Sequence, residues 1–63
     1  MDYHVRQAAF CRRMEQEARR LAANTSANDP ALRDRRLERA DTFRRFALIY
    51  DAGREPGEND YDD

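Results

Sequence analysis

The chain of 63 residues lacks the features that usually reinforce a protein of this size. It holds one cysteine, Cys11, and one histidine, His4. This excludes an intramolecular disulfide and a zinc site built from several Cys and His ligands. Below about 70–80 residues a single apolar core rarely supplies more than roughly 3–5 kcal/mol of stability. Oligomerisation or partner binding is the reinforcement that remains.

Long apolar runs and catalytic motifs are also missing. A membrane-spanning helix needs about 20 consecutive apolar residues, and no segment approaches that length. The first residues do not have the pattern of a secretory signal. We therefore expect a cytoplasmic protein that does not bind membranes. Without a Ser/His/Asp set, a Cys/His set or a Gly-rich phosphate loop, we expect no enzymatic activity, no cofactor, no metal and no small-molecule substrate.

Lysine is absent, so all twelve basic residues are arginine, and they are unevenly distributed. Residues 1–53 hold eleven arginines and eight acids, whereas residues 54–63 hold one arginine and five acids. The last segment has no aliphatic residue. This composition predicts a helical body over residues 1–52, followed by an acidic, disordered tail over residues 53–63.

Helix-breaking residues are absent from residues 3–23, where strong helix formers dominate. This composition predicts a helix over about 3–23, with Asp2 as its N-cap. Three-and-four spacing gathers one set of its side chains onto a single face. That face consists of Tyr3, Gln7, Phe10, Met14 and Leu21, with His4, Cys11, Ala18 and Ala22 beside them.

A second helix is predicted over about 30–51. Asp29 before Pro30 is typical of an N-cap followed by an N1 proline, and Gly53 is a natural C′ residue. Because the connection is short, the helices should form an antiparallel two-helix hairpin, so the fold class is all-α. The face toward the first helix should hold Leu32, Arg36, Ala40, Phe43, Phe46, Ala47 and Tyr50.

Arg36 is unusual within this face, because an unpaired guanidinium is costly to bury. It needs either an ion pair with Glu15 or Glu17, or a path to water past the small side chain of Ala18. Both alternatives are equally compatible with the sequence.

The second half of the second helix is apolar on more than one face. Leu48 and Ile49 point away from the predicted contact with the first helix. The apolar face of the first helix, by contrast, should be covered within the hairpin. We expect another chain to cover this surface, most simply a second hairpin that completes a helical bundle. The predicted partner interface comprises Leu37, Phe43, Phe46, Leu48, Ile49 and Tyr50.

Three arginines recur every seven residues along the first helix: Arg6, Arg13 and Arg20. Such an arginine ridge can contact anions, including nucleic-acid phosphates. Interspersed acids and a net charge near zero favour instead a solvated face with ordinary helical ion pairs. Those pairs are expected for Arg13 with Glu17, Glu15 with Arg19, and Asp41 with Arg45.

A pattern of short motifs is spread over both predicted helices. They are Phe10-Cys11-Arg12-Arg13-Met14, Ala18, Asp29-Pro30-Ala31-Leu32-Arg33, Leu37, Ala40, Phe43 and Phe46-Ala47. Over about residues 8–48 this pattern resembles a loose group of short bacterial helical-hairpin proteins. That group has no established activity, so the resemblance implies the hairpin fold alone.

These features favour a non-enzymatic protein–protein interaction module. It would be a small regulator or accessory subunit that dimerises or docks on a larger protein assembly. Two alternatives stay open: a nucleic-acid-associated protein that uses the arginine ridge, and a phage-type inhibitor of a host enzyme.

Overall fold

A computed structural model describes residues 2–57 of the chain. It contains two helices, α1 over Tyr3–Ala23 and α2 over Pro30–Asp51, which pack against each other as a hairpin. The predicted all-α fold and both helix ranges are therefore confirmed. The predicted disorder of the acidic tail falls largely on residues 58–63, which lie outside the described residues.

Both helices begin at a capping aspartate, as predicted. The Asp2 carboxylate accepts a hydrogen bond from the His4 backbone N–H at 3.3 Å, and the Asp29 carboxylate accepts one from the Leu32 N–H at 3.1 Å. Each bond satisfies an amide that has no partner within its helix. Pro30 occupies the first helical position, where a missing N–H costs nothing.

Helix α2 ends in a Schellman motif centred on Gly53. This residue has φ of +76°, a left-handed conformation that glycine adopts without steric cost. Its N–H donates to the Tyr50 carbonyl at 2.9 Å, and the Arg54 N–H donates to the Ile49 carbonyl at 3.1 Å. These are the two bonds that define the motif. The predicted role of Gly53 as C′ residue is confirmed.

The seam between the helices is lined by small side chains. Small residues allow two helix backbones to approach closely, since the distance between helix axes depends on the side chains at the contact. No large side chain is fully buried anywhere in residues 2–57. The buried residues are Ala8, Cys11, Ala18 and Ala22 on α1, and Ala40 and Ala47 on α2.

The large apolar residues of α1 lie beside this seam and not in it. Tyr3, Phe10 and Leu21 keep 46, 45 and 40 % of their surface exposed, whereas Ala8 is 1 % exposed. The prediction that α1 is satisfied within the hairpin is therefore wrong. The observed contact line lies about one residue position from the centre of the predicted apolar face, because small side chains, and not the large ones, pack on α2.

The hairpin is flat. The Cα atoms extend over 42 × 24 × 10 Å, so the molecule is a single layer of two helices. Its radius of gyration is 13.0 Å, against roughly 10.6 Å for a compact domain of this length. Domains usually bury their core between at least two layers of secondary structure. Among residues 2–57, the hairpin has one layer, and no further helix or strand covers either of its broad sides.

Candidate protein–protein interface

The two broad sides of the hairpin differ because each helix carries side chains on both flanks of the seam. Successive residues on a helix point about 100° apart. A residue just before a seam position therefore lies on one flank, and a residue just after it lies on the other. Because the two helices run in opposite directions, the flank that precedes the seam positions on α1 and the flank that precedes them on α2 lie on the same broad side. We name the two sides the aromatic face and the ion-pair face.

The aromatic face holds the large apolar residues of both helices. At the open end of the hairpin, the rings of Tyr3 and Tyr50 meet edge to face with their centroids 6.4 Å apart. The His4 ring lies 6.3 Å from that of Tyr50. These contacts place the start of α1 beside the end of α2, as the predicted antiparallel hairpin requires. The face comprises Tyr3, Gln7, Phe10, Met14, Glu17 and Leu21 on α1, and Leu32, Phe43, Phe46 and Tyr50 on α2.

On α1 the aromatic face forms a second packing stripe. Its six residues, from Tyr3 to Leu21, alternate in spacing between four and three positions. That is the spacing of helices that pack side by side in bundles. Helix α1 therefore carries two parallel stripes. The stripe of small residues packs on α2, and no helix among residues 2–57 packs on the stripe of large residues.

At the turn end, the aromatic face becomes basic. A groove there is lined by Leu21 and Leu32 together with Arg35, Arg36 and Arg39. Arg35 and Arg39 are exposed, whereas Arg36 is half-buried. No acidic side chain lines this groove within the described residues. The face is thus apolar and aromatic at the open end and cationic at the turn end.

Arg36 caps the C-terminal end of α1. One of its terminal guanidinium nitrogens donates to the Leu21 carbonyl at 3.0 Å and to the Thr25 hydroxyl at 2.6 Å. The Thr25 hydroxyl donates to the same carbonyl at 2.7 Å. A cation at a helix C-terminus is favourable, because the carbonyls there carry partial negative charge. The predicted alternative of an ion pair with Glu15 or Glu17 is wrong.

The ion-pair face holds charged groups bonded to one another. Arg12 pairs with Asp51 across the hairpin. Arg19 binds Glu15 at 2.8 Å, as predicted, and also reaches Asp41 at 3.3 Å. The Glu15 carboxylate, which accepts hydrogen bonds from this guanidinium, raises the pKa of Arg19. This side of the hairpin is therefore well suited to contact with water.

The six residues predicted as a partner interface do not share one surface. They are Leu37, Phe43, Phe46, Leu48, Ile49 and Tyr50. The three aromatic members lie on the aromatic face. Leu48 is 57 % exposed, as expected, but lines a groove on the ion-pair face with Arg12 and Arg44. Leu37 follows Arg36 toward that same side. Ile49 is half-buried on the outer side of α2.

The arginine ridge of Arg6, Arg13 and Arg20 is exposed along the outer side of α1. Arg20 is engaged, since it binds both carboxylate oxygens of Glu17 at 2.6 and 2.8 Å. The predicted pairing of Glu17 with Arg13 is therefore wrong. The side chains of Arg6 and Arg13 make no hydrogen bond or ion pair with any other residue in the range 2–57. Contact of this ridge with nucleic acid stays a prediction.

Cys11 belongs to the seam and not to a reactive site. The residue is 3 % exposed, and its burial raises the pKa of the Cys11 thiol. A thiol with a raised pKa is a poor nucleophile and metal ligand. Across residues 2–57, no three His, Cys, Asp or Glu side chains are placed to hold a metal ion together. Neither described helix is long and apolar enough to cross a membrane.

No protein family, curated protein or solved structure matches the chain. The resemblance to short bacterial helical-hairpin proteins therefore stays a prediction, and the candidate site rests on its own geometry.

Proposed function

We propose that the chain is a non-enzymatic protein–protein interaction module, a small regulator or accessory subunit whose aromatic face binds another helical chain. One observation supports this proposal. The residues best able to form a core, such as Tyr3, Phe10 and Leu21, remain 40–46 % exposed, while alanine and cysteine occupy the seam. Covering the aromatic face with a partner would bury the larger side chains that the hairpin alone leaves exposed.

The composition of the face supports the same function. Protein interfaces are enriched in Tyr, Phe, Met and Arg and depleted of Lys. The aromatic face holds Tyr, Phe, Met and Leu along its length and three arginines at its turn end, and the whole chain has no lysine. Contiguous exposed apolar surface on a small protein usually marks a binding site. The tyrosine rings and the arginines of this face are the side chains expected to carry most of the binding energy of such an interface.

Site-specific photo-crosslinking in cells that express the full chain tests this proposal. A benzophenone side chain replaces Phe10 on the aromatic face. The matched control replaces Val5, which is 50 % exposed on the opposite flank of the same helix. We expect a discrete covalent adduct from position 10 and little or none from position 5. The mass of the adduct then identifies the partner as a second copy or a different protein.

Either partner supports the proposed function, because both occupy the aromatic face. Equal adduct formation at positions 5 and 10, or no adduct at either while the chain remains helical, would overturn the proposal.

A further inference from the structure

We infer that the partner of the aromatic face is a second copy of this chain, docked end for end, with the turn of each hairpin against the open end of the other. This inference rests on the proposed function, because it names the occupant of the same face. Two flat hairpins stacked in this way make a four-helix bundle in which every helix has neighbours on two sides. Three properties of the face carry the inference.

The first property is the lengthwise polarity of the face. Aromatic rings occupy the open end, where Tyr3 meets Tyr50. Arginines occupy the turn end, where Arg35, Arg36 and Arg39 line one groove. If two copies stacked with like ends together, the arginine cluster of α2 would lie over the turn end of α1 of the other copy, away from the aromatic rings at its open end. Stacking with the ends reversed places each guanidinium cluster against the aromatic rings of the other copy.

The second property is the register along α2. In a symmetric dimer, residues at equal distances from the two-fold axis, in opposite directions, face one another. With the axis at Phe43, Arg36 of one copy lies opposite Tyr50 of the other, and Arg39 lies opposite Phe46 within one residue position. Guanidinium groups over aromatic rings are favourable contacts that strengthen as water is excluded. Each such contact occurs twice in the dimer.

The third property is the register along α1, where the large stripe is symmetric about its own midpoint at position 12. End-for-end stacking pairs Tyr3 with Leu21 of the other copy, and Phe10 with Met14. It also pairs the two polar members of the stripe, so that the Gln7 amide can donate to the Glu17 carboxylate. Counted from the contact of Tyr3 with Tyr50, position 12 is level with about position 41, two positions from Phe43. One axis near this level can therefore serve both helices.

Disulfide trapping between single-cysteine variants of the full chain tests the arrangement. In a Cys11→Ala background, Tyr3→Cys and Leu21→Cys variants of different mass are mixed under mild oxidation, after sedimentation has established the mass of the unmodified protein. We expect a dimer and a mixed disulfide between positions 3 and 21, which lie about 27 Å apart within one hairpin. The control replaces Tyr3→Cys by Val5→Cys, on the opposite flank, and should yield no mixed disulfide with position 21.

A second measurement separates the arginine contacts from general charge. Arg39→Glu should raise the dimer dissociation constant about tenfold, because two guanidinium–aromatic contacts are lost. Arg44→Glu makes the same charge change at an exposed position on the ion-pair face and should leave the constant within about twofold. Equal effects of the two variants would overturn the proposed docking.

The remaining outcomes separate this inference from the proposed function. A mixed disulfide of Tyr3→Cys with Tyr50→Cys, in place of position 21, would overturn the end-for-end arrangement and leave a dimerising module. A monomer at all concentrations would overturn the second copy as partner. If position 10 then crosslinks to a different protein, the proposed function stands without the second copy. If position 10 forms no crosslink, both the proposed function and the second copy as partner are overturned.

Discussion

The two broad faces of the hairpin differ in how favourably their side chains interact with water. On the ion-pair face, Arg12 and Arg19 bind carboxylates across the hairpin and remain partly exposed. Such surface pairs contribute only about 0–1 kcal/mol and gain little from being covered. On the aromatic face, half-exposed rings keep apolar area in contact with water. Covering that area would contribute roughly 25 cal/mol of free energy per Å². The comparison teaches that exposure alone does not mark an interface, because only one exposed face would be stabilised by a partner.

The most direct way to break this comparison is to place one charge on each face. Phe10→Glu should weaken association about 100-fold, roughly 3 kcal/mol, because it removes apolar burial from both copies and buries two carboxylates. Leu48→Glu, at a residue even more exposed than Phe10, should change association by less than about threefold. Sedimentation equilibrium or light scattering over a concentration series measures both effects. A larger loss of association from Leu48→Glu than from Phe10→Glu would show that the interface lies on the ion-pair face.

The seam supports both faces, so enlarging it should affect the whole hairpin. Ala40 is 0 % exposed between the helices, and Ala40→Leu should destabilise the fold by about 1–3 kcal/mol through overpacking. Ala9→Leu adds the same atoms at an exposed position of α1 and should change stability by less than about 0.5 kcal/mol. Urea unfolding followed by circular dichroism distinguishes them. Equal stability of both variants would show that the seam is not closely packed.

A smaller effect is expected at the turn end of the aromatic face. Arg36→Met should cost about 1–2 kcal/mol, because the Leu21 carbonyl and the Thr25 hydroxyl lose a charged donor. Arg35→Met removes the same charge from the same groove, but Arg35 is exposed, so its cost should stay below about 0.5 kcal/mol. The difference in free energy of unfolding, measured at one protein concentration below the dimer dissociation constant, isolates the helix cap. No difference would show that the cap is dispensable.

The smallest effect is expected on the ion-pair face. Asp41→Asn removes the partner of Arg19 on α2 and should cost about 0.5 kcal/mol or less, with no change in association. Asp34→Asn, at an exposed aspartate of the same helix, is the control for the change in net charge. Thermal unfolding at low and high salt checks the result, since salt screens exposed pairs. A loss of more than about 1 kcal/mol would give the ion-pair face a structural role.

Helix ends were predictable because they depend on single residues with strong local preferences. Asp2 and Asp29 accept backbone hydrogen bonds at helix starts, Pro30 favours the first helical position, and Gly53 supplies a positive φ. None of these effects depends on what lies across the hairpin. The same locality explains why the pair of Glu15 with Arg19, four residues apart on one helix, was also predicted correctly.

The contact line between the helices was harder to predict, because large side chains dominate any apolar pattern. Ala8, Cys11 and Ala18 carry less apolar area than Tyr3 and Phe10, yet they allow the closer approach. A repeat of small residues at seven-residue spacing, such as Cys11 with Ala18 or Ala40 with Ala47, was the available signal. The capping role of Arg36 had no comparable signal, since its acceptor is a backbone carbonyl.

The alanine seam also determines which experiments can detect the core of this protein. Systematic alanine scanning, the usual way to map important residues, cannot alter Ala8, Ala18, Ala22, Ala40 or Ala47. Such a scan would report effects at the aromatic face and would measure no effect at the alanines in the centre of the fold. Substitutions that add atoms are the informative ones here, because a core of minimal side chains tolerates little growth. Sequence drift at these five positions should accordingly be limited to residues as small as alanine.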